Sequence, residues 1–360
     1  MMRHGMHAPH HIPVDTIEKP YQDAVPEGSA TTSTWLNRGR RWLPLFSFCA
    51  GICSYALLER GEATARWIPL LLIIGWVVQP YIAAAQRRTA LLQALPPSAL
   101  ESAGNLVLQS VQQESFFFAL PFIYRATVWD SPSTLFSLIV GLAGAVSVID
   151  PVWSRWIARH RLLLTLYHAL ALFVAALVAI PLLAGTDAAT GLIAAAALTT
   201  LFAVPTLSGW REFRRWRAWG RLLLLAVIGG MLAWVGRGWI PPAPLRVVDA
   251  AITPEVIADK LRVGSPKQVW TVADLRGGVV AYTPIRAPLG LNEAIFHEWI
   301  HEGERVDRIQ LDIRGGRKAG FRTWSRKQNF PANPVGQWLV DVVTAYGQLL
   351  GRLRFTVTAQ

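Results

Sequence analysis

Charge and cysteine are both scarce in this sequence. With 52% of its 360 residues apolar and only 16% charged, it is too poor in polar groups for an ordinary soluble domain of this length. Cysteine occurs twice, at Cys49 and Cys53. Four apart on a helix, the two share a face, but their Cβ atoms would stand roughly 5–6 Å apart, beyond an unstrained disulfide. They read as small buried thiols, and everything after them must fold without a disulfide. The first 41 residues lack the apolar core of a signal peptide. They hold His4, His7, His10 and His11 among prolines and scattered charges, in no spacing that a fold would fix for a metal, and read as a disordered cytoplasmic tail. A Gly-rich nucleotide loop, a nucleophile elbow and a Cys-x-x-Cys pair are also missing. An enzyme is therefore the weaker class, and no cofactor is implied.

What is present falls into two regimes. Residues 42–240 hold long uncharged runs separated by short, arginine-bearing links, whereas residues 245–360 have the mixed charge and alternation of a globular domain. The expected architecture is a polytopic α-helical membrane domain of about seven spans, followed by an all-β, sandwich-like extracytoplasmic domain. The net charge of +12 lies largely in the links, where arginine orients helices, so no nucleic-acid partner is inferred. Membrane lipids are the first partner such a chain meets.

Seven stretches approach the ~20 apolar residues that a bilayer core requires. They are 42–58, 67–85, 106–124, 133–149, 162–184, 188–207 and 222–239. Counting from an internal N-terminus, the cytoplasmic segments carry 13 arginines and the outer ones 5, as the positive-inside rule requires. This bias puts the C-terminal domain outside the cytoplasm, periplasmic if the membrane is a bacterial inner membrane. In the fourth stretch Ser137, Gly141 and Ala145 form a small-residue stripe suited to close helix approach. The third carries Gln109, Gln112, Gln113 and Glu114, and the fifth Tyr167 and His168. At ~1.5 Å rise per residue, Glu114 and His168 come to similar depths, so the two are expected to face each other in a polar intramembrane site.

In the outer domain, Thr253, Pro254 and Glu255 predict the start of a short helix over 253–262. Strands are expected at 268–272, 279–283, 294–301, 306–313, 321–325, 337–343 and 353–357, with Trp299, Trp324 and Trp338 in the core. His297, Glu298, Trp299, Ile300 and His301 spell His-Glu-x-x-His, the pattern of a zinc protease helix. The same residues alternate as a strand would, and no third histidine follows. Arg314, Arg317, Lys318, Arg322, Arg326 and Lys327 place six positive charges in fourteen residues with no acid among them. That segment is expected to form a basic surface for anionic lipid headgroups, an anionic envelope component or a membrane-protein partner, with Arg314 to Arg317 as a turn.

The order Ile295-Phe296-His297-Glu298-Trp299, Arg322-Thr323-Trp324-Ser325-Arg326-Lys327, Gly336-Gln337-Trp338 and Tyr346-Gly347 resembles the DUF2914 domain. Together with the membrane half, it resembles the DUF5924 family. The resemblance implies a bacterial membrane protein and supplies no reaction. A membrane-anchored binding or accessory module is thus the leading expectation. A transporter using the site around Glu114 and His168, and a zinc hydrolase using His297 and His301, are the alternatives.

Overall fold

The computed structural model describes residues 45, 48–57, 67, 69, 70, 72, 74, 76 and 97–359, apart from 209–214, 244, 258–261, 288–292, 312–313 and 317–319. The N-terminal tail, part of the first candidate span and most of the second lie outside the described residues.

The helical half comprises α1 (Phe48–Leu57), α2 (Pro97–Ala126), α3 (Ser133–Val148), α4 (Asp150–Ile157), α5 (Arg161–Ala184), α6 (Ala188–Ser208) and α7 (Trp216–Val235). Among the described residues two helices are long and apolar enough to cross a membrane, Arg161–Ala184 and Trp216–Trp239. A third is gained only if the bent pair α3 and α4 counts as one. The expectation of seven spans is therefore corrected. The stretch at 106–124 belongs to a 30-residue helix, but its glutamines and Glu114 make it too polar. The stretch at 133–149 is a 16-residue helix from which the chain turns by 94° into α4, beside Pro151. Within 188–207, the described apolar part is the shorter Ala188–Ala203.

Cys49 and Cys53 are exposed on α1, where buried thiols were expected. The small-residue stripe also sits elsewhere on α3. Gly141 has open space at its Cβ position, whereas a Cβ on Gly144 would lie 2.9 Å from the Leu120 side chain. Ser137, Val140, Gly144 and Ser147 form the packed face against α2. Helices α5 and α6 make a hairpin through Gly185, whose left-handed backbone (φ 62°) returns its N–H to the Pro181 carbonyl at 3.0 Å. Asp187 caps α6 by accepting from the Thr190 N–H at 2.9 Å and the Thr190 hydroxyl at 2.8 Å.

The C-terminal half is built from short strands. They are β1 (Arg246–Val247), β2 (Ala251–Thr253), β3 (Val256–Ile257), β4 (Arg262–Val263), β5 (Val269–Thr271), β6 (Val279–Tyr282) and β7 (Ile285–Arg286). These are followed by β8 (Ile295–His301), β9 (Glu304–Gln310), β10 (Arg314–Gly316), β11 (Gly320–Arg322), β12 (Trp324–Lys327), β13 (Gly336–Thr344) and β14 (Leu349–Thr358). The main sheet has the order β5-β14-β13-β8-β9 and is antiparallel except where β14 runs parallel to β5. Three smaller sheets, β1-β7-β11-β10, β12-β6-β2 and β3-β4, accompany it. All are open sheets with free edges, which corrects the expected sandwich. The expected helix at 253–262 is replaced at its described positions by strand. Thr253 closes β2, and its hydroxyl donates to the Glu255 carbonyl at 3.1 Å instead of capping a helix. Arg314–Gly316, expected as a turn, is strand β10.

The core of this half gathers Trp270, Trp299, Trp338, Phe355, Val340, Val342 and Val357. Trp324, expected among them, is half-buried, and Trp270 takes that place. On the outer face of the main sheet, register aligns Arg308, Glu298, Asp341 and Arg352 in one row across four strands. The Arg352 guanidinium meets both Asp341 carboxylate oxygens at 2.6 Å. At β9 the ladder shifts, because Arg305 and Asp307 face adjacent residues of β8 and leave Val306 without a partner.

The sheets pack against one set of helix ends. Asp130, between α2 and α3, pairs with Arg354, and its carbonyl accepts from Arg352 at 3.4 Å. Arg237, after α7, donates to the Tyr346 carbonyl at 2.7 Å, and the Trp234 ring stands edge-on to Tyr346. Gln348 donates to the Ile240 carbonyl at 3.3 Å, and Glu293 accepts from the Ala188 N–H at 3.0 Å. The start of α5, the α4 turn and the start of α7 lie at the other helix ends, where Arg155, Arg159, Arg161, Arg215, Arg217 and Arg221 are found.

Trp338 is fully buried, donates to the Pro334 carbonyl at 2.9 Å and stacks on Phe355. Trp338→Ala should therefore destabilise the chain by about 3–5 kcal/mol, read by denaturant unfolding in detergent, and Trp324→Ala by clearly less.

Candidate functional site

Gln109, Gln112 and Gln113 recur at the i, i+3, i+4 spacing of one helix face, and all three are buried in the bundle. Gln109 donates to the Ser147 carbonyl at 3.0 Å and to an Asp150 carboxylate oxygen at 2.8 Å, tying α2 to the bend between α3 and α4. Trp153 donates its indole N–H to the Gln112 side-chain oxygen at 3.1 Å. This fixes the amide so that its nitrogen donates to His168 Nδ1 at 3.3 Å. His168 is fully buried, and its neutral ring then carries the proton on Nε2, which has no partner. The Gln113 side-chain nitrogen is likewise buried without one. Around them, Trp76 stands 4.7 Å from the His168 ring and donates to Ser115 at 2.9 Å, while Tyr167 donates to the Ala143 carbonyl at 2.7 Å.

Glu114 does not join this cluster. It is exposed, and Gln112 takes the position beside His168 expected for it. Depth along the helix is shared, but Glu114 lies two residues, about 200° of turn, around α2 from Gln112. Trp76, Trp153 and Asp150 were not foreseen as members, since nothing in their local sequence marks them. The glutamine spacing was the available signal.

Gln112→Leu strands the Trp153 N–H and leaves His168 Nδ1 unpaired in the interior. It should cost about 1–3 kcal/mol in the unfolding of the detergent-solubilised chain. Glu114→Gln, on the exposed side of α2, should stay within about 0.5 kcal/mol in the same measurement.

The His-Glu-x-x-His residues lie on strand β8. Residues i and i+4 of a strand are about 13 Å apart, and Glu298 points to the opposite face from both histidines, so the segment cannot build the zinc protease constellation. Glu298 is engaged by Arg305 at 3.0 Å and Arg308 at 3.5 Å. His301 stacks on Trp338 and shares a hydrogen bond with the Val335 carbonyl at 3.1 Å. Among the described residues, no group of three or more His, Cys, Asp or Glu converges as metal ligands.

His297 instead forms the middle of a closed polar chain. The Thr323 hydroxyl donates to the Thr283 carbonyl and can accept from the Thr283 hydroxyl at 3.1 Å. Thr283 then accepts from His297 Nε2–H at 2.7 Å. On the other side, Trp299 donates to the Ser325 oxygen at 3.1 Å, and the Ser325 hydroxyl donates to His297 Nδ1 at 2.7 Å. In this direction every donor is used and the ring is neutral. Ser325 next to a histidine resembles a nucleophile and its base, yet His297 and Thr323 are fully buried and Ser325 nearly so, which closes the pair to any substrate.

Burial pushes His297 down to about 3 from 6.5. The unfolded chain therefore takes up a proton that the folded one refuses, and the stabilisation present above pH 6.5 is lost as pH falls toward 3. The chain should lose about 1.4 kcal/mol per pH unit over that window from this group. His297→Asn should remove that slope in unfolding titrations at pH 7, 5 and 4.

The basic segment is divided. Arg326 is exposed and donates to the Gly277 carbonyl at 3.0 Å, and Arg322 is half-buried on β11 with Arg314 opposite it in register. Lys327 turns inward, 3% exposed, and pairs with Asp307 at 3.2 Å. Arg317 and Lys318 lie outside the described residues.

No curated protein and no solved structure matches the chain. Residues 292–357, from just before β8 to the end of β14, match DUF2914, described as a protein of unknown function. Residues 24–281, which take in the helical half and run into β6, match DUF5924, described as a family of unknown function. That match covers well over half of the sequence, and the chain belongs to the DUF5924 family.

Proposed function

We propose that this chain is a membrane-anchored accessory module of the bacterial cell envelope, whose helices hold the β-rich region at the periplasmic face of the inner membrane for an anionic envelope component or a membrane-protein partner. The observation that carries this reading is the separation of charge along the helices. Among the described residues, the helix ends at which the sheets dock carry Arg125 and Arg237, whereas the opposite ends carry Arg155, Arg159, Arg161, Arg215, Arg217 and Arg221. Arginine is retained on the cytoplasmic side, so the docked sheets belong outside. Exposed aromatic rings support a membrane boundary at each level, with Trp156, Trp216 and Trp219 at the arginine-rich ends and Tyr124, Trp129 and Trp239 near the sheets. Arg322 and Arg326 are the described cations from which the proposed anionic contact would start.

A second reading, transport through the bundle, is supported by the unpaired donors His168 Nε2 and Gln113 Nε2, since spare donors in a bundle interior suit a passing acceptor. Both groups are buried in the bundle, so such a role requires helices that move apart.

The leading reading is tested by labelling. With Cys49 and Cys53 replaced by serine, a cysteine at exposed Val306 should react with a membrane-impermeant maleimide in intact spheroplasts. Reaction only after permeabilisation would place the sheets in the cytoplasm. The same detergent-solubilised chain should elute from dextran sulfate at lower salt once Arg322 and Arg326 are changed to glutamine.

A further inference from the structure

The seam between the sheets and the helices mixes contacts of different kinds. Asp130 pairs with Arg354 and accepts from Arg352, and the Arg237–Tyr346 and Gln348–Ile240 bonds end on neutral carbonyls. Glu293, just ahead of β8, differs from both. One carboxylate oxygen accepts the Ala188 N–H at the first residue of α6, while the other is buried without a partner. On the same α5–α6 turn, the Thr186 hydroxyl is also buried without one. A carboxylate oxygen buried without a donor is costly while Glu293 is ionised, and protonation removes that charge and lets the group donate instead.

We propose that Glu293 is a proton-operated latch between the β-rich region and the helices, holding the seam closed when protonated and loosening it when ionised. Among the described residues the charged group facing it is Asp187 of the turn, and its neighbour from β13 is the uncharged Thr344. Burial opposes charge on Asp187, yet the bonds from Thr190 hold its carboxyl below the usual carboxylate range, so it stays ionised. Burial first, and then the charge on Asp187, push Glu293 from 4.5 up to about 7, although the Ala188 N–H and the Thr344 hydroxyl pull the other way. Closing the seam therefore takes up a proton between pH 4.5 and about 7. Closure is strongest below that window, weakens about tenfold per pH unit across it, and is constant above it.

The test uses the full chain in nanodiscs, with Cys49→Ser and Cys53→Ser, and Thr186→Cys as a reporter of an open seam. Its maleimide labelling rate is divided at each pH from 5 to 8.5 by the rate of the same chain carrying Glu293→Gln, which cancels the ionisation of the thiol. The ratio should lie within about fivefold of one at pH 5 and rise at least tenfold further by pH 8, levelling near pH 7. A ratio constant across the range would overturn the latch. If Glu293→Gln fails to accumulate, Asp187→Asn keeps a competent cap and removes the facing charge. The rise in labelling should then level off at lower pH, and an unmoved plateau would overturn the proposal.

Discussion

A polar group taken out of water must find its partner inside the chain, and both halves of this protein are organised by that constraint around one buried histidine. In the helical half, Gln112 joins Trp153 to His168 and thereby decides which ring nitrogen carries the proton. In the β-rich half, three hydroxyls from two strand regions and one indole do the same for His297. Both rings are fixed as the same neutral tautomer by neighbours whose donors can point in only one direction. The difference lies in completeness. The chain through His297 uses every donor and specifies how β6, β8 and β12 meet, whereas His168 keeps a donor to spare. The first arrangement is scaffolding, and the second leaves room for a change of partner.

The seam extends the same logic between the two halves. Asp341 and Glu298 sit side by side in the cross-strand row, and their like charges are tolerable because Arg352 and Arg308 flank them. Arg352 also reaches Asp130, so the electrostatics of the sheet face and the docking of the helices cannot be altered independently. Among the described residues of the seam, Glu293 is buried without a facing cation, so protons rather than salt govern it.

Much of the β-rich half was legible in the sequence because alternation is a local property. Residues 295–301 and 336–344 announce themselves as strands, and Trp299 and Trp338 fall on the faces that alternation assigns to the core. Pairing is often not local, so the short strands β1, β2 and β7, each defined by a neighbour distant in sequence, were missed, and β10, which pairs with nearby β11, was read as a turn because its glycines signal one. Hydropathy overcounted the spans because it weighs composition without asking which face is covered. The polar side of α2 is buried among other helices, and the bend at Asp150 and Pro151 ends α3 early. Likewise depth brought Glu114 and His168 together, but only the helical period distinguishes Gln112 from Glu114. The His-Glu-x-x-His letters misled for the opposite reason, since spacing carries chemistry only through the period of the element that holds it.

Strand β9 ends the main sheet with its outer edge uncovered, a sequence of alternating charges and an unpaired Val306 that kinks the ladder. Anchoring to a membrane confines every copy to a plane, where neighbours meet far more often than free molecules would. An edge that is bent and charged cannot serve as a flat template for the next copy's strand. The kink at Val306 thus lets the protein be crowded on a surface without its sheets merging into a continuous one.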